Sequence, residues 1–173
     1  MNNYKKSIEI INNSDFTIKG LKTFTGREGY GINANLYHKG KKVAFLLDSG
    51  NGGCLDVDWE NGYTWKDNPI IPLIKSDEFG LGDYTWDEET ICNNLIDEYL
   101  KVKDFKKVMK KVVVLSTKNQ ILEYSAKASD LDKVFKFKEG RMTFRDRVNL
   151  DNTKAILNDL PTNEAYDIYV QNR

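Results

Sequence analysis

The chain has 173 residues, 26 Lys and Arg balanced by 26 Asp and Glu, and 40% hydrophobic residues. This composition excludes wholesale disorder, and the length is enough for one domain, or one domain of two lobes, whose core needs no covalent staples. No apolar run approaches the roughly 18 residues of a membrane span, and the start MNNYKKSIEI lacks an apolar signal core, so a cytoplasmic protein with no membrane contact is expected.

Two cysteines, Cys54 and Cys92, and a single histidine, His38, cannot make a disulfide framework or a closed zinc site. Both cysteines are expected to be reduced, buried and structural, and no metal or cofactor is expected. The zero net charge conceals a strong asymmetry. Residues 1–47 hold 8 basic and 3 acidic side chains, 48–98 hold 2 and 13, 99–147 hold 14 and 6, and 148–173 hold 2 and 4. Such blocks either neutralise one another inside the fold or form separate surfaces of opposite sign.

In chain order, period-2 patterns come first. FTIKGLKTF reads as a strand, and in GYGINANLYH the residues Tyr30, Ile32, Ala34, Leu36 and His38 share one face. HKGKK supplies a tight turn into KVAFLL, which is apolar on both faces and therefore a central strand. After the loop DSGNGG, the run CLDVDWE alternates again, with Leu55, Val57 and Trp59 inward and Asp56, Asp58 and Glu60 outward. Together these segments predict an antiparallel meander.

Residues 61–83 are irregular, rich in Pro and Gly, and Tyr63-Thr64-Trp65 is echoed by Tyr84-Thr85-Trp86 without the longer similarity of a repeat. Thr85 and Glu88 then have the spacing of a capping box. Ile91, Leu95, Tyr99, Val102, Phe105 and Met109 follow as one helical stripe. VVVLSTKNQILEYSA predicts a second hairpin turning at Thr117-Lys118-Asn119, and SDLDKVF, TFRDRVN and NTKAILNDL predict short helices. Pro161 opens a last helix, PTNEAYDIYVQN. The fold class is therefore α+β: an antiparallel β-meander, one long helix, a β-hairpin and short C-terminal helices. A β-rich lobe over 1–83 and a mixed α/β lobe over 84–173 would form one compact domain.

Four features bear on function. The glycine runs TGREGYG and DSGNGG each enter a strand, whereas a phosphate loop needs its N–H groups converging at a helix N-terminus, so turns are the preferred reading. Asp56, Asp58 and Glu60 form a carboxylate ladder with steps of about 6.5 to 7 Å. A solvated strand face is the preferred reading, an acidic surface for a partner comes next, and a Mg²⁺ site made by two of them with Asp48 comes last. Lys106, Lys107, Lys110 and Lys111 suit the negative end of the long helix, which is the preferred reading, with a nucleic-acid patch as the alternative. His38 titrates near neutrality and, with Lys39 or Lys41, suggests a nuclease base, but Arg27 and Glu28 lie some 30 Å away along an unbroken strand.

GREGYGINANLYHKGKKVAFLLDSGNGG, together with MTFRDRV and ILNDLPTNEAYDIYV, resembles small proteins of phages and other mobile elements, with the motif G-x-E-G-x-G-x-N-x-x-L-x-x-x-G-K-K-V. The resemblance implies a short, cofactor-free protein that binds host machinery, as anti-CRISPR and other anti-defence inhibitors do. It transfers no catalytic residue. The expected function is non-enzymatic inhibition of a host defence nuclease complex, protein or ribonucleoprotein, through Asp56, Asp58 and Glu60 or through Lys106, Lys107, Lys110 and Lys111. A nucleic-acid-processing enzyme and a nucleotide-signal sponge are the alternatives.

Overall fold

The computed structural model describes residues 15–60 and 88–173. Thr85 as a helix cap and the Tyr-Thr-Trp echo lie outside the described residues. The chain divides into two compact units, Met1–Tyr99 and Leu100–Arg173, with the boundary inside the long helix α1 (Glu88–Val108). The architecture is α+β, as the patterning predicts.

The first unit contains a four-stranded antiparallel meander of β1 (Phe16–Thr25), β2 (Tyr30–His38), β3 (Lys41–Asp48) and β4 (Asp56–Trp59), in that spatial order. Lys39 and Gly40, at φ 49° and 81°, make the tight β2–β3 turn that the sequence calls for. Strict alternation fails twice, each time at a bulge. In β1 the register slips between Lys19 and Lys22, where Gly20 takes φ 65°, so Ile18 and Leu21 are both buried although three residues apart. In β3 it slips at Val43, so that Val43 and Ala44 are both buried. The inner face holds Phe16, Ile18, Leu21, Ala34, Leu36, Ala44 and Leu46. The start of α1 is tied to β4: the Leu55 N–H donates to the Glu89 carboxylate at 3.1 Å, and the Trp59 indole N–H donates to Glu88.

In the second unit, β5 (Lys111–Ser116) lies between β6 (Ile121–Lys127) and β9 (Thr153–Ile156). Its run of valines is buried on both faces. Val113 and Leu115 pack with Phe105 and Val108 of α1, Leu157, and Ala165 and Tyr169 of α3 (Thr162–Gln171). Val112 and Val114 pack with Leu131, Ile156 and Val148 of α2 (Phe144–Asn149). The hairpin β5–β6 and the helix α2 appear where the sequence places them. Thr143 and Asp146 close a reciprocal capping box on α2.

Three expectations are corrected. NTKAILNDL is not a helix: Thr153–Ile156 is a strand and Leu157–Asp159 a 3₁₀ turn, because β5 has a second edge that needs hydrogen-bond partners. SDLDKVF is a 3₁₀ turn at Ala128–Asp130 followed by β7 (Val134–Phe137), which pairs with β8 (Gly140–Thr143). Pro161 is the N-cap of α3 rather than its first helical residue, and its carbonyl accepts from the Ala165 N–H at 2.9 Å.

Candidate functional site

The outer face of the meander is graded in charge from edge to edge. Residues opposite one another across antiparallel strands share a face, so Lys22, Asn33, Leu47 and Asp56 form one row. Lys19, Asn35, Phe45 and Asp58 form the next. The Lys19 ammonium sits 4.3 Å from the centre of the Tyr37 ring on this face. Lysines therefore line the β1 edge and aspartates the β4 edge, with amides and half-buried apolar side chains between them.

Asp56 and Asp58 are exposed and, among the described residues, make no ion pair. Glu60 is different. Its carboxylate is 2.6 Å from the Lys42 ammonium, so the third step of the expected ladder is neutralised within the sheet. The Mg²⁺ alternative loses Asp48 as well. Asp48 is opposite Ile32, on the side away from Asp56, and its Oδ1 accepts from the Gly50 N–H at 2.8 Å. Among the described residues no group of three or more His, Cys, Asp or Glu is arranged to hold a metal ion.

The two glycine runs, distant in sequence, meet at one end of the sheet. Glu28, Gly29, Tyr30, Asp48, Gly50, Gly52 and Gly53 line an open depression of about 200 Å³. Several backbone donors of the two runs are engaged internally. Gly26 N–H donates to Gly29 O at 2.7 Å, Arg27 N–H to Asn51 Oδ1 at 3.1 Å, and Glu28 N–H to Gly50 O at 2.9 Å. With Glu28 and Asp48 in the lining and the Glu28 and Gly50 N–H groups spent within the loops, the arrangement is that of interlocked turns and disfavours a phosphate. Each run by itself is only a turn; their pairing is why both are glycine-rich.

His38 stacks on Phe16, ring centroids 4.6 Å apart, and partial burial together with the adjacent Lys39 lowers its pKa below 6.5. Lys41 begins the next strand opposite it, whereas Arg27 and Glu28 precede the far end of β2, so the acid and base groups of a nuclease are not brought together.

In the second unit, Lys106 and Lys107 occupy the last turn of α1, where cations complement the helix dipole, and Lys110 is exposed just beyond it. Lys111 is 3.3 Å from Glu123. Of the two cysteines, Cys92 is fully buried, and burial with Glu88 nearby pushes its thiol up to about 12. Cys54 is exposed, which corrects the expectation that both are buried.

Comparisons with protein-family models, with curated proteins and with solved structures gave no match.

Proposed function

We propose that this chain is a non-enzymatic binding protein, of the anti-CRISPR-like kind that mobile elements direct at host defence, and that it inhibits a nuclease complex by presenting the acidic edge of its meander. The observation that carries this reading is the pair Asp56 and Asp58, exposed side by side on an outer strand of the described sheet and bordered by Phe45 and Leu47. Carboxylates at strand spacing offer a cationic nucleic-acid channel two negative charges at about 7 Å, close to the phosphate spacing of a single strand. The apolar and amide rows beside them supply contact area. The host-defence context rests on the resemblance of the glycine-containing motif.

The test uses a host extract in which the nuclease activity titrates against added protein. Inhibition should be stoichiometric, and Asp56→Asn with Asp58→Asn should weaken it at least tenfold, chiefly through slower association, with an unchanged melting temperature. Glu60→Gln should have a smaller effect on inhibition, since Glu60 is already paired with Lys42. Changing Lys106, Lys107, Lys110 and Lys111 to Gln should leave inhibition intact. Full inhibition by the double aspartate variant would remove the acidic-edge reading, and turnover at sub-stoichiometric amounts, lost in His38→Ala, would replace it with an enzyme.

A further inference from the structure

β7 and β8 form a two-stranded ribbon in which Val134 pairs with Thr143, Phe135 with Met142, Lys136 with Arg141 and Phe137 with Gly140. Alternation gives the ribbon two faces. Phe135, Phe137 and Met142 lie on one. The rings of Phe135 and Phe137 meet that of Phe144, the first residue of α2, at centroid distances of 6.1 and 5.9 Å, and Tyr124 of β6 meets the same ring at 5.7 Å. This aromatic face attaches the ribbon to its own unit.

The opposite face carries Val134, 56% exposed, and sets Lys136 directly across from Arg141, with exposed Lys138 in the connecting turn. Like charges directly opposite one another weaken a ladder, and an isolated two-stranded ribbon has little stability to spare. Nearby acids that could relieve the repulsion are engaged by other cations. Asp130 is held by Lys133 at 2.6 Å, Asp132 by Arg145 at 2.6 Å, and Asp159 by the same Arg145. Arg147 takes Asp151 at 2.5 Å and Glu139 at 3.7 Å, while Asp146 is turned back into the capping box with Thr143. Among the described residues Lys136, Lys138 and Arg141 make no ion pair. The ribbon therefore keeps three unneutralised cations on its outward face and turn.

We propose that the β7–β8 ribbon is a duplex-DNA-binding element that sets Lys136, Lys138 and Arg141 against the phosphates flanking the major groove. The major groove of B-form DNA, about 12 Å wide, admits a two-stranded ribbon, whereas the deep, narrow major groove of A-form RNA does not. Single-strand binding by stacking requires free aromatic faces; both ribbon phenylalanines meet the Phe144 ring edge-on, Phe137 is half-buried and Phe135 is 38% exposed, so single-stranded DNA is a comparison the test includes. This site is independent of the acidic edge of the meander and stands or falls separately from it.

Fluorescence anisotropy of the full chain with a labelled duplex DNA of about 20 base pairs, between roughly 50 and 200 mM salt, tests the assignment. Changing Lys136, Lys138 and Arg141 together to Gln should weaken binding at least tenfold and flatten the dependence of log K on log salt by about 2.7, the release expected from three phosphates. Lys136→Glu separates binding from folding: it turns the like-charged pair with Arg141 into an opposite-charged one, so the melting temperature should hold or rise while DNA binding falls. The proposal is overturned by an unchanged salt slope in the triple variant or by equal affinity for duplex RNA or single-stranded DNA. Poly-glutamate competing as well as DNA of equal charge, which would identify an acidic protein as the occupant, overturns it too.

Discussion

Gly26 and Gly50 touch backbone to backbone: a Cβ on Gly26 would lie 2.5 Å from the Gly50 carbonyl oxygen, and one on Gly50 would lie 2.7 Å from the Gly31 nitrogen. Gly50 and Gly52 also take φ of 67° and 74°, and the Gly52 Cβ position is occupied by the Glu28 carboxylate. Gly29 and Gly53 have open space and no positive φ.

A graded outcome follows for alanine substitutions, read by chemical denaturation. Gly26→Ala and Gly50→Ala should each cost more than about 1 kcal/mol, because both the steric and, at Gly50, the conformational penalty apply. Gly52→Ala should cost about as much, since its Cβ meets only the end of a flexible side chain but its φ is unfavourable. Gly53→Ala and Gly29→Ala should be neutral within about 0.5 kcal/mol. Equal losses at all five positions would mean that the loops are not interlocked as described.

Asn158 holds the junction between α1 and β5. Its Oδ1 accepts from the Val113 N–H at 2.8 Å, and its Nδ2 donates to the carbonyls of Met109 and Lys111 at 3.2 and 2.9 Å. The β5–β6 register is interrupted between Lys111 and Val113, so the side chain supplies a partner where the ladder does not. Asn158→Leu should cost about 1 to 3 kcal/mol in denaturant unfolding, the penalty of leaving a buried donor unmade. Asn119→Leu, which removes a hydrogen bond to Lys154 and a residue at φ 57° in an exposed turn, should act instead through backbone strain alone.

The stacking of His38 on Phe16 makes stability depend on pH. Because the folded pKa lies below the ordinary 6.5, the unfolded chain binds more protons as pH falls through 6.5, and stability declines over that interval. A series of melting temperatures from about pH 8 to pH 5 should show this decline in the wild type. In His38→Gln the component near pH 6.5 should be missing, leaving only the carboxylate titration at lower pH. A variant curve parallel to the wild type across that range would show that His38 is not the group responsible.

Much of the first unit could be read directly from the chain. In β2 and β4 the apolar residues recur at every second position, and a half-buried antiparallel sheet permits little else, so the outward direction of Asp56 and Asp58 is legible too. The loss of Glu60 to Lys42 was not, since no local rule tells which cation on the neighbouring strand a carboxylate will reach. The ribbon's signal in the sequence is masked: in FKF and GRMT apolar and basic residues alternate around a Lys-Glu-Gly turn, but the acidic start at Ser129-Asp130 imitates a helix cap.

What the sequence determined by itself was local: period, turn chemistry and caps, each a consequence of steric and hydrogen-bonding preferences within a few residues. What only the tertiary structure decided was pairing. Ala155, Ile156, Leu157 and Leu160 have a spacing a helix could use, yet Thr153–Ile156 became a strand because buried β5 exposed an edge whose backbone groups had to be satisfied. The convergence of the two glycine runs arose in the same way. Residues 26 and 50 meet because β2 and β3 fold back on one another, and the close approach of two backbones is a demand that neither stretch expresses alone.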